Sequence, residues 1–298
     1  MTVHPPEILD LALSLGVTDP DPESGIVRRC LERIEGWVRE NGGVGSIGEL
    51  ESLVLARLHM VVEEINLDGD FERLAETYAK DRNDPIFACL NSLFEEDVYG
   101  ALIQRRNVSP EAPDRVVAVI DCRGPKASRR YFTRWHEIAH RLTTHAELPK
   151  VLFRSGDSPV ERLVDEVASQ VGFYRPLLDK ALLETGGEPF SIQKVSAVAK
   201  RFPGASFKAT LLACVKAHPE PVTFVEFETC QKPKGFRRIL HNPLVGERDI
   251  DFLLDYGMSV NASEGFTETR FESEHGQIMG MRFPGASYGI AIWGSRNA

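Results

Sequence analysis

Cysteine is scarce and unpatterned in this chain. Its 298 residues hold five, Cys30, Cys89, Cys122, Cys214 and Cys230, with no C-x-x-C pair. An odd, scattered set makes neither a disulfide framework nor a four-cysteine zinc site, and thiols in a reducing cytoplasm fit best. Long apolar runs are missing too. No stretch approaches the roughly 20 apolar residues a bilayer-spanning helix needs, and the start has no basic region followed by an apolar core of the kind that directs secretion. Positive charge is in deficit. There are 35 Lys and Arg against 44 Asp and Glu, a net charge of −9, which argues against a general nucleic-acid binder. Internal repeats and low-complexity segments are absent. What is left is an ordinary globular composition, 42% hydrophobic and 27% charged, at a length that suits two domains.

Against this background one segment stands out. Tyr131-Phe132-Thr133-Arg134-Trp135-His136-Glu137-Ile138-Ala139-His140 contains H-E-x-x-H. No Pro or Gly interrupts the run from Ala127 to Thr144. Phe132, Trp135, Ile138, Ala139 and Leu142 fall near helical spacing, which predicts a helix with one buried face. Residues four apart share a helix face, so His136 and His140 can aim two imidazoles at one metal ion. Glu137 sits beside them, where a general base can take a proton from water. Burying these groups without partners is costly, so the motif on a buried face needs a reason of this kind.

A catalytic zinc ion takes a third protein ligand and keeps one position open. His145 lies nine residues after His136, and the intervening Gly of a three-histidine pattern is missing, so His145 suits a surface or supporting place better than a ligand position. Downstream, Ser158-Pro159-Val160-Glu161-Arg162-Leu163-Val164-Asp165-Glu166-Val167-Ala168 predicts a second helix, with Ser158 as N-cap, Pro159 in the first turn and Glu161 completing a capping box. Glu161 is thus either a cap partner or a ligand. Asp165 shares its face at i, i+4, and two carboxylates there repel unless a cation intervenes. A metal ion held by one, with the other orienting a histidine, relieves that.

The pattern resembles the ImmA/IrrE family of metallopeptidases. Arg129-Arg130-Tyr131-Phe132-Thr133-Arg134-Trp135-His136 is similar to the family's R-R-F-T-x-x-H lead-in with one inserted aromatic. Glu161, Asp165 and Ala168 stand at the spacings of its second helix, and Phe173, Tyr174 and Pro176 look like a variant of its ending. The resemblance runs from about Ile47 to Pro176. It implies a gluzincin-like site with His136, His140 and Glu161 as zinc ligands, Glu137 as general base, and Asp165, Tyr174, His145 and Tyr99 as candidates for supporting the ligands or an oxyanion. It also implies a stress-response type of function, in which a cytoplasmic zinc endopeptidase cuts a protein substrate such as a transcriptional repressor or an antitoxin-like partner. Two rival readings stay open: a regulatory module that sequesters a partner around a structural or vestigial zinc site, and a zinc amidase acting on a small molecule.

The rest of the chain arranges itself around these helices. The expected class is α+β: a mainly helical zincin-like catalytic domain with a small sheet, plus a smaller C-terminal α/β domain. Residues 1–45 read as an N-terminal helical segment, 46–218 as the metallopeptidase domain with a helical bundle at 191–218, and 222–298 as the C-terminal domain, GAF-like or partner-binding. Pro6–Leu15, Gly25–Glu40 and Ser46–Ile65 read as helices; without a basic recognition helix they suit packing better than DNA reading. Asp68–Phe94 adds further helix. Asp97–Ile103 and Asp114–Asp121 read as strands joined by a turn at Asn107–Pro113, one of them an edge able to hold an extended peptide. Ser191–Phe202 and Ser206–His218 read as a helix pair, Val222–Glu228, Gly280–Phe283 and Ala286–Trp293 as strands, and Asp249–Tyr256 as a helix. Two basic clusters, five Lys/Arg in Arg123–Arg134 and four in Lys232–Arg238, read as solvated faces, the first also able to attract an acidic substrate segment.

Overall fold

A four-stranded mixed sheet with helices on both faces carries the first predicted site helix, and the second packs on the first. The computed structural model describes residues 4–80, 83–94, 98–106, 108–144, 151–153, 158–186 and 191–217, and the strands at 222–228, 236–240, 268–273, 276–282 and 287–293. In chain order the elements are α1 (Pro6–Ser14), α2 (Pro22–Glu40), α3 (Ile47–Leu58), β1 (Met60–Ile65), α4 (Gly69–Leu74), α5 (Leu90–Leu93), β2 (Gly100–Gln104), β3 (Val116–Asp121), α6 (Arg130–Thr143), β4 (Val151–Phe153), α7 (Pro159–Gly172), α8 (Arg175–Glu184), α9 (Ile192–Ala199), α10 (Phe207–Ala217), β5 (Val222–Glu228), β6 (Phe236–Leu240), β7 (Glu268–Ser273), β8 (Gly276–Arg282) and β9 (Ser287–Trp293). The class is α+β. Among the described residues no helix is long and apolar enough to cross a membrane.

The chain divides into two compact units, Met1–Leu177 with Gly204–Ser206, and Leu178–Pro203 with Phe207–Ala298. This division does not follow the expected boundaries at residues 45 and 218. The N-terminal helices are no separate segment, because α1 and α2 pack on α7. The helices expected to close the catalytic domain group with the C-terminal sheet, and α10 packs on β5.

In the first unit the strand order is β1-β3-β2-β4. β1 runs parallel to β3, and β2 is antiparallel to both β3 and β4. All residues of β2 and β3 are buried, as a sheet covered on both faces demands. Ala101, Ile103, Val117 and Val119 pack into a core with Phe71, Leu74, Tyr78 and Phe87. The alternate residues face α6, which lies on β2 and β3. The two predicted strands are therefore interior; the edges are β1 and β4, and the expected edge for a peptide is not one of that pair.

β1 itself departs from the sequence reading, which ran one helix from Ser46 to Ile65. The helix stops at Leu58 because His59 takes a left-handed conformation, φ 50° and ψ 49°, as its C-cap. A non-glycine residue there leaves no glycine signal to read. Its start was legible: the Ser46 hydroxyl accepts from the Glu49 amide, and Glu49 accepts in return from Gly45.

The basic cluster before and within α6 is spent on internal pairing. Asp121, at the end of β3, accepts from Arg123 and Lys126. Burial opposes its ionisation, but these donors hold its carboxyl below the usual range. Arg134 binds Glu51 of α3 at 2.8 Å and Glu64 of β1, and Arg130 reaches Glu64 at 3.6 Å. Burial raises the Glu51 carboxyl's affinity for protons, and Arg134 opposes that rise. The second cluster, Lys232–Arg238, falls outside the described side chains.

The second unit has an antiparallel sheet of order β6-β5-β9-β8-β7, with a bulge in β5 at Glu226/Phe227. β5 and β9 lie where strands were expected, β8 starts four residues earlier than read, and β6 and β7 were not read. The expected helix Asp249–Tyr256 lies outside the described residues.

Arg134 fixes the position of α6 through two half-buried carboxylates that would otherwise repel. Arg134→Met is expected to lower unfolding free energy by about 2 kcal/mol while leaving metal content unchanged. Chemical denaturation with parallel metal analysis checks this; a change under about 0.5 kcal/mol would mean ordinary surface pairs.

Candidate metal centre

α6 and α7 pack closely along their length, and a glycine makes the approach possible. A Cβ at Gly172 would lie 2.9 Å from Cδ1 of Trp135, so the indole rests directly on the end of α7. The Tyr131 hydroxyl donates to the Gly172 carbonyl on the same seam. With α6 held this way, His136 and His140 face the first turns of α7 one helical turn apart. Their Nε2 atoms are 3.0 Å apart and their rings nearly perpendicular, at 84°.

At the start of α7, half of the capping box forms. The Ser158 hydroxyl accepts from the Glu161 amide at 3.1 Å. The Glu161 carboxylate turns to the histidines instead of the cap. Its Oε2 lies 3.1 Å from Nε2 of His136 and 3.5 Å from Nε2 of His140. It stands within ion-pair distance of both, yet is buried without hydrogen-bond geometry to any group. A buried carboxylate oxygen left like that needs an explanation.

A metal ion supplies one. For ligands about 2.0–2.1 Å from a tetrahedral ion, neighbouring donors are about 3.3 Å apart. The three distances here are 3.0, 3.1 and 3.5 Å. His136, His140 and Glu161 are a buried group that could hold a metal ion, and their donor set, two imidazoles and a carboxylate, fits one.

Asp165, one turn further along α7, completes the arrangement. Its Oδ1 lies 2.7 Å from Nδ1 of His136. A carboxylate only accepts, so Nδ1 carries the proton and Nε2 is left with a lone pair directed, like those of His140 and Glu161, at the place a metal ion would take. In the absence of a cation these groups hold charge in another way. Burial works against the imidazolium of His136, but Asp165, Glu161 and the nearby Glu137 outweigh it and push the histidine up to about 9. Burial likewise disfavours the Glu161 carboxylate, but the two imidazoles hold it well below the usual range.

Glu137 is 2% exposed and belongs to neither the ligand set nor the cap. Its carboxylate lies against the head of β2. An added Cβ at Gly100 would be 2.5 Å from its Oε1 and 2.8 Å from Cγ2 of Thr133. Gly100 went unread in the sequence; the available signal was a glycine at the head of an otherwise apolar strand.

The remaining candidates are Tyr174, Tyr99 and His145. Tyr174 follows the far end of α7, which rises about 16 Å between Glu161 and Gly172 at about 1.5 Å per residue. It is buried there, and burial with the nearby Glu35 raises its hydroxyl's affinity for the proton. It is too far to serve the donors. The Tyr99 ring is engaged by Arg129, 4.6 Å from its centroid, and Lys126, 5.6 Å away. His145 lies outside the described residues. The described cysteines, Cys30, Cys89, Cys122 and Cys214, are free thiols.

No family model and no curated protein matches the chain. Among solved structures, a Mycobacterium tuberculosis transcriptional regulator is similar at a TM-score of 0.42 and 11% identity, over 97% of this chain and 81% of that one. A likeness at that level carries no argument.

Two outcomes follow for metal binding. Below about pH 9 the metal-free His136 holds a proton that an incoming ion must displace. Affinity for Zn2+, used as probe, is therefore expected to fall as pH falls from 9, with proton uptake or release measured in calorimetric buffers of different ionisation enthalpy. Binding at pH 7 without proton release would contradict this protonation. Asp165→Asn is expected to weaken Zn2+ binding about 10–100-fold; competition against a chromogenic chelator reads the change, and an unaltered affinity would leave Asp165 without an orienting role.

Proposed function

We propose that the chain is a zinc-dependent metallopeptidase of the ImmA/IrrE type that cuts a regulatory protein, such as a transcriptional repressor. The observation that carries this reading is the buried His136–His140–Glu161 convergence with a second buried carboxylate, Glu137, directly beside the first ligand. A site that only braces a fold needs the three donors and has no use for Glu137.

The donors are hard or borderline nitrogen and oxygen groups, which suit zinc. When bound, zinc supplies a Lewis acid that polarises a carbonyl and makes water a better nucleophile at neutral pH. The protein's residues do the rest. His136 is held in one tautomer by Asp165. Glu161 is turned toward the histidines while the Ser158 hydroxyl caps its amide. Glu137 accepts a proton as water attacks and returns it to the departing nitrogen. β4, antiparallel to β2, stands at the sheet edge nearest that strand's side of α6. An extended peptide can add to such an edge through its main chain, which favours a protein substrate over a small amide.

The discriminating experiment compares wild type with Glu137→Gln. Both are expected to bind one equivalent of zinc, and only wild type is expected to cut candidate repressors encoded beside the gene, with the variant slower by about 10²–10⁴-fold. Equal inactivation of the partner by both would point to sequestration instead of cleavage.

A further inference from the structure

We infer that Gly100 is a positioning residue for the Glu137 carboxylate: the missing side chain at the head of β2 is the notch in which the base lies. The inference rests on the peptidase reading and extends it to a residue outside the motif.

Three observations carry it. First, the backbone does not call for glycine here. Gly100 begins a regular strand, paired with Ile120, and is not among the residues of positive φ. A β-branched residue would serve the strand better. Second, space does call for it. A Cβ at this position would stand 2.5 Å from Oε1 and 3.1 Å from Cδ of Glu137, and 2.8 Å from Cγ2 of Thr133. Packed carbons and oxygens do not approach so closely. Third, the two intruding side chains are one helical turn apart on α6, both buried, so they straddle the same point of the strand. The methyl of Thr133, stiff at χ1, walls one side of the notch. The Glu137 carboxylate, at the end of a longer chain, fills the other. A side chain at residue 100 would move the more flexible of the two, and that is the base. The metal donors, His136 and His140 on the neighbouring face of α6 and Glu161 on α7, would keep their places.

The test uses zinc-loaded full-length protein and acetohydroxamic acid, a zinc-chelating probe whose acidic proton needs an acceptor beside the metal. Affinity is measured by calorimetry for wild type, Gly100→Ala, Glu137→Ala and the double variant, with zinc content and thermal melting alongside. Gly100→Ala is expected to keep its zinc and bind the probe at least about tenfold more weakly, the loss of one charge-assisted hydrogen bond. It is expected to add nothing in the Glu137→Ala background, because the two changes remove the same contact. Wild-type affinity in Gly100→Ala, or an equal loss in both backgrounds, would overturn the inference. Should Gly100→Ala fold poorly, Gly100→Ala with Thr133→Ser removes the second clash and is judged by the same outcomes. Equal probe binding by wild type and Glu137→Ala would instead contradict the peptidase reading itself, before Gly100 is in question.

Discussion

A buried carboxylate oxygen facing two imidazoles is the constraint on which the first unit depends. Oε2 of Glu161 is buried and has no hydrogen bond. Such a group is stable only beside positive charge. The two histidines provide it by taking up a proton, or a metal ion provides it by taking their lone pairs. Asp165 tips His136 toward either outcome, because a carboxylate on Nδ1 makes Nε2 a better base and a better ligand.

The surrounding fold keeps those atoms from drifting apart. α6 is pressed on a sheet buried on both faces, tied at one side by Arg134 to α3 and β1, and seated on α7 through Trp135 over Gly172. Glutamates at adjacent positions of β1 show how the layers are divided. Glu63 faces Tyr78 and Arg73 on one side, and Glu64 faces Arg134 and Arg130 on the other. Each charged residue on an otherwise apolar strand has a partner of opposite sign on its own side of the sheet.

The donor group was legible in the sequence where it rested on helical period. His136 and His140 follow from one motif, and the capping box at Ser158 located α7. What spacing could not decide was whether Glu161 caps or ligates, since both uses put a glutamate at the third position. The structure shows the amide capped and the carboxylate turned away. Long-range geometry was harder to read. His59 ends α3 without a glycine, so the sequence reads β1 as helix, and without β1 the interior strands read as edges. Tyr174 matched a motif in sequence but sits a helix length from the donors. Gly100 matched no motif, because what it provides is absent volume. The unit boundary at Leu177 leaves no signal in the sequence, because α8 continues the chain directly from α7 with no run of linker-like composition.

X-ray absorption at the zinc edge of the loaded protein tests the central claim most directly. Two imidazole nitrogens and a carboxylate oxygen at about 2.0–2.1 Å are expected, with no sulfur in the first shell. A sulfur scatterer near about 2.3 Å, or a shell without paired imidazoles, would place the metal elsewhere and contradict the site.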